Sequence, residues 1–379
     1  MAQGTLLVLD SQATAFSRLA VAFEVAFTLQ SKKQINVAVC SDGSAELITS
    51  TLTAKEEAME EEKFVGAGTG AKADRESEFP LDVIKLGLAV ALEKGETDSD
   101  PERARLLSAL ADAELNEATR QFRAVFAAAA WRQAAQQGKI QELGLVEVLS
   151  AYTESKSSEI SLAFCKECTD DVAQSIALSF TGQLKRLVLD LSGCDKLTSD
   201  GVKYIAKRLP PSLEALHLRL WRCERLDNSS LAAIAENMPP RANTFELNCT
   251  GCRKVTEDVI EHLVSKLPRT LTSLSLFFPY AQLTDQGVTA LAAKLPQGIQ
   301  SLTFDVSECP QVGNNGIKSL AQSFSPQLQA LKLSCRGCAQ FTDAGVLAVA
   351  KGLPGGLQSL SLFVKETGVS QEKMKICSD

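Results

Sequence analysis

The residues with the most chemical promise are the cysteines. The chain has eleven, and three of the pairs they form have CxxC spacing: Cys165/Cys168, Cys249/Cys252 and Cys335/Cys338. Thiolates so spaced serve structural zinc sites and thiol–disulfide centres. A zinc site wants four ligands, and the two histidines, His217 and His262, complete no such set. A Ser-His or Cys-His mechanism would have to use His217 with an exposed nucleophile, and no neighbouring residue suggests one. The run Gly66-Ala67-Gly68-Thr69-Gly70-Ala71-Lys72 hints at a phosphate loop. It lacks the GxxxxGK[ST] pattern and follows no clear strand, so it reads as a flexible loop. What the cysteines do depends on the elements that carry them.

Those elements emerge when the chain is written in rows of 29. Full rows begin at Leu184, Leu213, Ala242, Leu271, Ile299 and Leu328, the Leu271 row being one residue short. A degenerate row begins at Ser155 and a truncated one at Leu357, making about eight. Each row opens with a period-two segment whose leucines point inward, as in Leu187/Leu189, Leu216/Leu218 and Leu331/Leu333. The apolar spacing then turns helical: Val202, Ile205, Ala206 and Leu209 share one face. Thr198, Thr284 and Thr342 stand where a helix N-cap is wanted, and Pro210, Pro239, Pro268, Pro296 and Pro354 end the helices. One strand and one helix cannot bury both apolar faces alone, but stacked rows can. The expected fold class is α/β: a curved parallel sheet with helices outside, preceded by a small α/β domain with a helical segment.

This pattern resembles the leucine-rich-repeat superfamily. The 29-residue period is similar to the ribonuclease-inhibitor-like class, and the Cys followed by LTDxGV to the cysteine-containing class found in F-box proteins. The resemblance covers 155–379, roughly 225 of 379 residues. It implies a non-catalytic interaction module or scaffold that binds another protein on its concave face. Two alternatives stand beside it: a substrate adaptor of a cullin-type ubiquitin ligase, and a nucleotide- or metal-binding N-terminal domain that the repeats target.

The row register answers the cysteine question. Cys165, Cys194, Cys223, Cys252, Cys309 and Cys338 occupy one row position, and Ala281 replaces them in the short row. Cys252 and Cys338 lie three rows apart, roughly 14 Å at the spacing of stacked strands. Two thiolates on one zinc each lie ~2.3 Å from it, so these pairs cannot share an ion. The expectation is a ladder of small buried thiols with no metal and no cofactor. Unpaired cysteines in such number suit a reducing compartment, the cytoplasm.

The side chains alternating with the inward leucines line the concave face. Most are small and polar. The exceptions are His217 and Arg219 with Trp221 and Arg222 just beyond, and Phe277 followed by Tyr280. Trp, Tyr and Arg dominate binding hot spots, so these six are the candidate partner contacts.

The first 150 residues are less regular. Thr5–Asp10 and Gln34–Cys40 read as strands around an amphipathic helix at 13–30, a βαβ unit over 1–52 with Ala45–Thr49 as a possible third strand. Residues 53–80 read as an acidic helix leading into a mobile Gly-containing loop, 81–152 as helical, and 152–159 as a polar linker. Asp10-Ser11-Gln12-Ala13-Thr14 is similar to the metal corner of a von Willebrand A domain, but Gln12 replaces a serine of DxSxS. Phe79–Ile84 and Ala127–Arg132 are similar to the two ends of an F-box, at too long a separation and with a middle that does not match. Residues 1–154 carry 15 Lys/Arg against 24 Asp/Glu, and 155–379 carry 24 against 22. Neither balance suits nucleic acid, and no apolar run spans a bilayer or opens the chain as a leader would.

Overall fold

A computed structural model describes residues 4–41, 44–49, 52–62, 67–76, 78–109, 112–137, 148–149, 151, 159–163 and 168–370. The chain divides into two units, 1–157 and 158–379. The expected linker at 152–159 lies outside the described residues except for Glu159.

The first unit holds a three-stranded sheet, β1 (Gly4–Leu9), β2 (Gln34–Ser41) and β3 (Ser44–Thr49), in that order. β1 and β2 are parallel across α1 (Leu19–Gln30), giving the expected βαβ unit, and β3 returns antiparallel to β2. Leu7, Leu9, Ile35, Val37, Val39 and Ile48 are buried, the alternation that a half-buried sheet requires. Two short helices, α2 (Ala54–Glu62) and α3 (Ala67–Glu76), are followed by α4 (Leu81–Ala89), α5 (Asp100–Ala109) and α6 (Asp112–Gln137). Phe16, Phe122 and Phe126 meet edge-to-face at centroid distances of 5.2–5.7 Å and tie α6 to the turn before α1.

One expectation for this unit changes. The mobile loop within 53–80 is instead helical over 67–76, with α3 packed against α2. The reason is a side-chain clamp on the sheet edge: Glu76 Oε1 accepts from the Thr49 amide at 2.9 Å, and Arg75 donates to the Leu47 carbonyl at 2.8 Å and to Glu56 at 2.9 Å. Ala67–Lys72 therefore belongs to a helix and forms no phosphate loop, Gly66 lying outside the described residues. Asp10 caps its own turn, accepting from the amides of Gln12 at 3.2 Å and Thr14 at 2.9 Å and from the Thr14 hydroxyl. Those bonds, led by the Thr14 hydroxyl, hold its carboxyl below the usual aspartate range.

The second unit is a solenoid. Its eight strands are β4 (Glu159–Ala163), β5 (Arg186–Asp190), β6 (Ala215–Arg219), β7 (Thr244–Asn248), β8 (Ser273–Phe277), β9 (Ser301–Asp305), β10 (Ala330–Ser334) and β11 (Ser359–Phe363). They form one parallel sheet in chain order, so each row pairs only with its neighbours. Helices α7 (Asp170–Leu178), α8 (Ser199–Lys207), α9 (Asn228–Glu236), α10 (Glu257–Ser265), α11 (Asp285–Lys294), α12 (Asn314–Gln322) and α13 (Asp343–Gly352) alternate with the strands. Thr198, Thr284 and Thr342 are N-caps as expected, each hydroxyl accepting from an amide two residues on. The caps also bond between rows. The Thr198 hydroxyl donates to Asp170 at 2.7 Å, Ser199 to Asp227 at 2.8 Å, and Asn314 to Thr342 at 2.8 Å.

The thiols have a definite job. Cys223 Sγ lies 3.1 Å from the Leu191 carbonyl, Cys252 Sγ 3.1 Å from that of Leu220, and Cys338 Sγ 3.2 Å from that of Val306. In these rows the cysteine thus donates to the preceding row where the strand becomes a turn. Burial pushes the Cys223 and Cys309 thiols up to about 12 and Cys338 to about 11. Cys165 lies outside the described residues, and Cys168 fills the position of Leu197 one row on.

Candidate protein-binding face

The candidate face is built from the C-terminal ends of the strands and the turns beyond them. Counted from the first residue of each row, the tenth position is left-handed in seven consecutive rows: Gly193, Arg222, Gly251, Tyr280, Glu308, Gly337 and Glu366 all have φ between 57° and 75°. Its amide donates to the ninth carbonyl of the following row, from Gly193 to Trp221 at 2.6 Å through Gly337 to Lys365 at 3.0 Å. The same turn therefore recurs whatever residue occupies it. Glycine takes this conformation without strain, whereas an L side chain there costs roughly 1–2 kcal/mol. Four rows keep a side chain regardless.

Arg219, Trp221 and Arg222 form one cluster on the row beginning at Leu213. Trp221 is 46% exposed, and the Arg222 guanidinium lies 5.6 Å from its ring centroid, within cation–π range. A methyl group on Gly251 would sit 3.5 Å from Arg222 Cγ, so the arginine stem extends over the bare turn of the next row. Arg219 is engaged with Glu246 on β7 at 2.9 Å.

His217 needs a correction. It occupies a concave position as expected, yet it is only 1% exposed and presents no contact surface. It is flanked in register by Val188 and Glu246, both also buried. Its Nδ1 donates to Glu246 Oε2 at 3.1 Å, while its buried Nε2 has no hydrogen-bond partner among the described residues. Burial works against the charge on Glu246, but the His217 hydrogen bond and the Arg219 charge outweigh it and hold the carboxyl below the usual glutamate range. The trio stiffens the middle of the sheet beneath the candidate face.

Phe277 and Tyr280 belong to a second cluster, two rows along. In register, Arg219 and Phe277 are separated by Asn248, about 10 Å at strand spacing. Tyr280 is 56% exposed. With Phe277 it lines a groove of about 350 Å³ completed by Asp305, Ser307, Glu308, Lys332, Ser334, Arg336 and Phe363. The five expected contacts other than His217 thus fall into two groups. The groove adds residues that sequence reasoning missed: Glu308 and Arg336 in the turns, and Lys332, whose amine lies 5.7 Å from the Phe363 ring centroid. Asp305 is spent locally, accepting from the Ser307 amide and hydroxyl. Glu308 leans over the neighbouring turn, where a methyl group on Gly337 would meet its carboxylate at 2.6 Å. The signal that could have found Glu308 was its row register with Arg222 and Tyr280.

Among the described residues no three His, Cys, Asp or Glu side chains converge to hold a metal ion. No helix among them is long and apolar enough to cross a membrane.

A family model described as a leucine-rich repeat matches residues 187–206, the span from β5 into α8. The second unit is a leucine-rich-repeat domain. That match covers a single strand–helix unit of the domain, and the structure repeats the unit on either side of it. A comparison with curated proteins finds no match. Among solved structures, the leucine-rich-repeat-containing protein LegL7 from Legionella pneumophila is 19% identical, over 61% of this chain and 72% of that one, with a TM-score of 0.40. A chain of the yeast Rad7–Elc1 complex is 16% identical, over 85% of this chain and 83% of that one, with a TM-score of 0.35. Both superpositions are loose and add nothing to the fold that the repeats establish by themselves.

Proposed function

We propose that the leucine-rich-repeat domain is a non-catalytic protein-binding module whose contact surface is the turn edge of the concave sheet, from Arg219 to Tyr280. The left-handed ladder carries this reading. Arg222, Tyr280 and Glu308 occupy turns that glycine fills without strain in neighbouring rows, and Tyr280 is exposed there. Backbone strain retained at a surface position points to a role for the side chain it displays. Trp221 and Tyr280 supply the large amphipathic surface from which hot spots are made. The free, buried thiols suit a reducing cytoplasmic setting.

The test is binding of a captured protein partner to the full chain and to two matched variant pairs. Trp221→Ala with Tyr280→Ala should weaken binding about thirtyfold, the scale of one true hot spot, without lowering the melting temperature. Charge reversal at Lys203 and Lys207, on α8, should leave binding unchanged. Loss with the lysine pair and retention with the aromatic pair would move the interface to the helical side.

A further inference from the structure

The turn edge is not electrically uniform. In the turns between strand and helix on the rows beginning at Leu213 and Ala242, Arg222, Arg225, Arg253 and Lys254 are all exposed, against two exposed acids, Glu224 and the N-cap Asp227. Four positive charges less two negative leave +2 on two adjacent turns. Among the described residues none of these cations is in an ion pair or a side-chain hydrogen bond; Arg222 has only the Trp221 ring. By contrast, Arg219 is satisfied by Glu246 and Lys185 by Glu214. Unpaired like charges held side by side repel one another, and a carboxylate-bearing partner relieves that repulsion. Exposed Trp221 stands beside them, and Arg222 is held there in a left-handed turn.

We infer that the edge formed by Trp221, Arg222, Arg225, Arg253 and Lys254 is the docking site for an Asp/Glu-rich segment of the partner protein. This rests on the protein-binding reading above and gives it a chemistry. The patch favours a short peptide over nucleic acid. It spans two rows about 4.8 Å apart, too little to follow a phosphate backbone over several nucleotides. Arg222, stacked near Trp221, offers a planar fork to a carboxylate, while the indole covers an apolar or aromatic side chain beside it.

The experiment is fluorescence anisotropy of a fluorescein-labelled peptide of repeated Asp-Glu-Tyr, titrated with the full chain. A repeated Lys-Arg-Tyr peptide and single-stranded oligo-dT serve as comparators. The acidic peptide should bind, its affinity should fall as salt rises, and Arg253→Glu with Lys254→Glu should weaken it about tenfold or more. Arg253→Gln with Lys254→Gln should show a smaller loss, which guards against a folding artefact of reversal. Binding unaffected by either pair, equal binding of the basic peptide, or tighter binding of oligo-dT would each overturn the assignment. Failure of the acidic peptide on the wild-type chain would overturn it too, while a partner lost on Trp221→Ala with Tyr280→Ala would leave the protein-binding reading standing.

Discussion

His217 Nδ1 lies 3.1 Å from Glu246 Oε2 on the adjacent strand, and Arg219 Nε lies 2.9 Å from the other oxygen of that carboxylate. One glutamate thus satisfies two basic side chains in the middle of the sheet. Glu246→Ala should destabilise the domain by about 2 kcal/mol or more, because His217 would lose its bond in a buried site. The Glu246→Leu and His217→Leu double variant should recover much of that loss, as measured by urea unfolding. The pH dependence has a definite sign. The folded carboxyl titrates below its ordinary value of 4.5. Its contribution is therefore fully present above that value and is lost as pH falls through the folded one. Glu246→Gln should flatten the stability curve in that acid window and nowhere above it.

The left-handed ladder predicts opposite responses at neighbouring turns. Tyr280→Gly and Arg222→Gly remove strain but loosen the unfolded chain, so their melting temperatures should stay level or rise slightly. Gly337→Ala should destabilise by about 1 kcal/mol or more, since it adds left-handed strain and displaces the Glu308 carboxylate. Thermal unfolding of the variants decides it, and a clear drop for Tyr280→Gly would mean that the ring packs rather than displays.

The thiol ladder predicts selective reactivity. Cys40 is exposed, whereas Cys194, Cys223, Cys252, Cys309 and Cys338 are buried. Burial keeps Cys223, Cys309 and Cys338 protonated at neutral pH. Native alkylation followed by peptide mass spectrometry should label Cys40 first among the described cysteines, with the ladder reacting only after unfolding. Elemental analysis of the purified chain should find no stoichiometric zinc. One equivalent, lost on Cys249→Ser, would make that pair a ligand set.

The edge clamp in the first unit predicts a local effect. Glu76→Gln should keep a hydrogen bond to the Thr49 amide, whereas Glu76→Ala should expose it. Hydrogen exchange at Thr49 should rise at least tenfold in the alanine variant, with little change at Val37 in the sheet centre. Equal changes at both sites would mean that the whole sheet, and not its edge, depends on Glu76.

What was legible in the sequence was whatever repeats. Leu187, Leu216 and Leu331 announce strands because the same alternation returns in phase, and Thr198, Thr284 and Thr342 announce caps for the same reason. The left-handed turns were hidden because their glycine signal is intermittent: Gly193, Gly251 and Gly337 alternate with larger residues that obey the same backbone. His217 was misjudged because strand alternation tells which side a residue faces, not how far its neighbours cover it. The first unit has no repetition to amplify its signals. The capping box of Thr53 with Glu56, whose carboxylate accepts from the Thr53 amide at 2.8 Å, was present as T-x-x-E but lay within a charged run that reads as solvated. Arg75 and Glu76 find their partners on β3 from 26 to 28 residues away, which no local pattern encodes.

The recurrent turn also separates what the backbone needs from what the surface shows. Because its amide bonds to the next row whether the residue is Gly251, Tyr280 or Glu308, the tenth position behaves as a row of interchangeable slots set at strand spacing. A ligand laid along the edge would meet a ruler with one mark per repeat, reading in order blank, cation, blank, aromatic, anion, blank, anion. Rewriting a mark alters the message at a cost confined to a single turn, so recognition in this domain can drift while the solenoid beneath it stays the same.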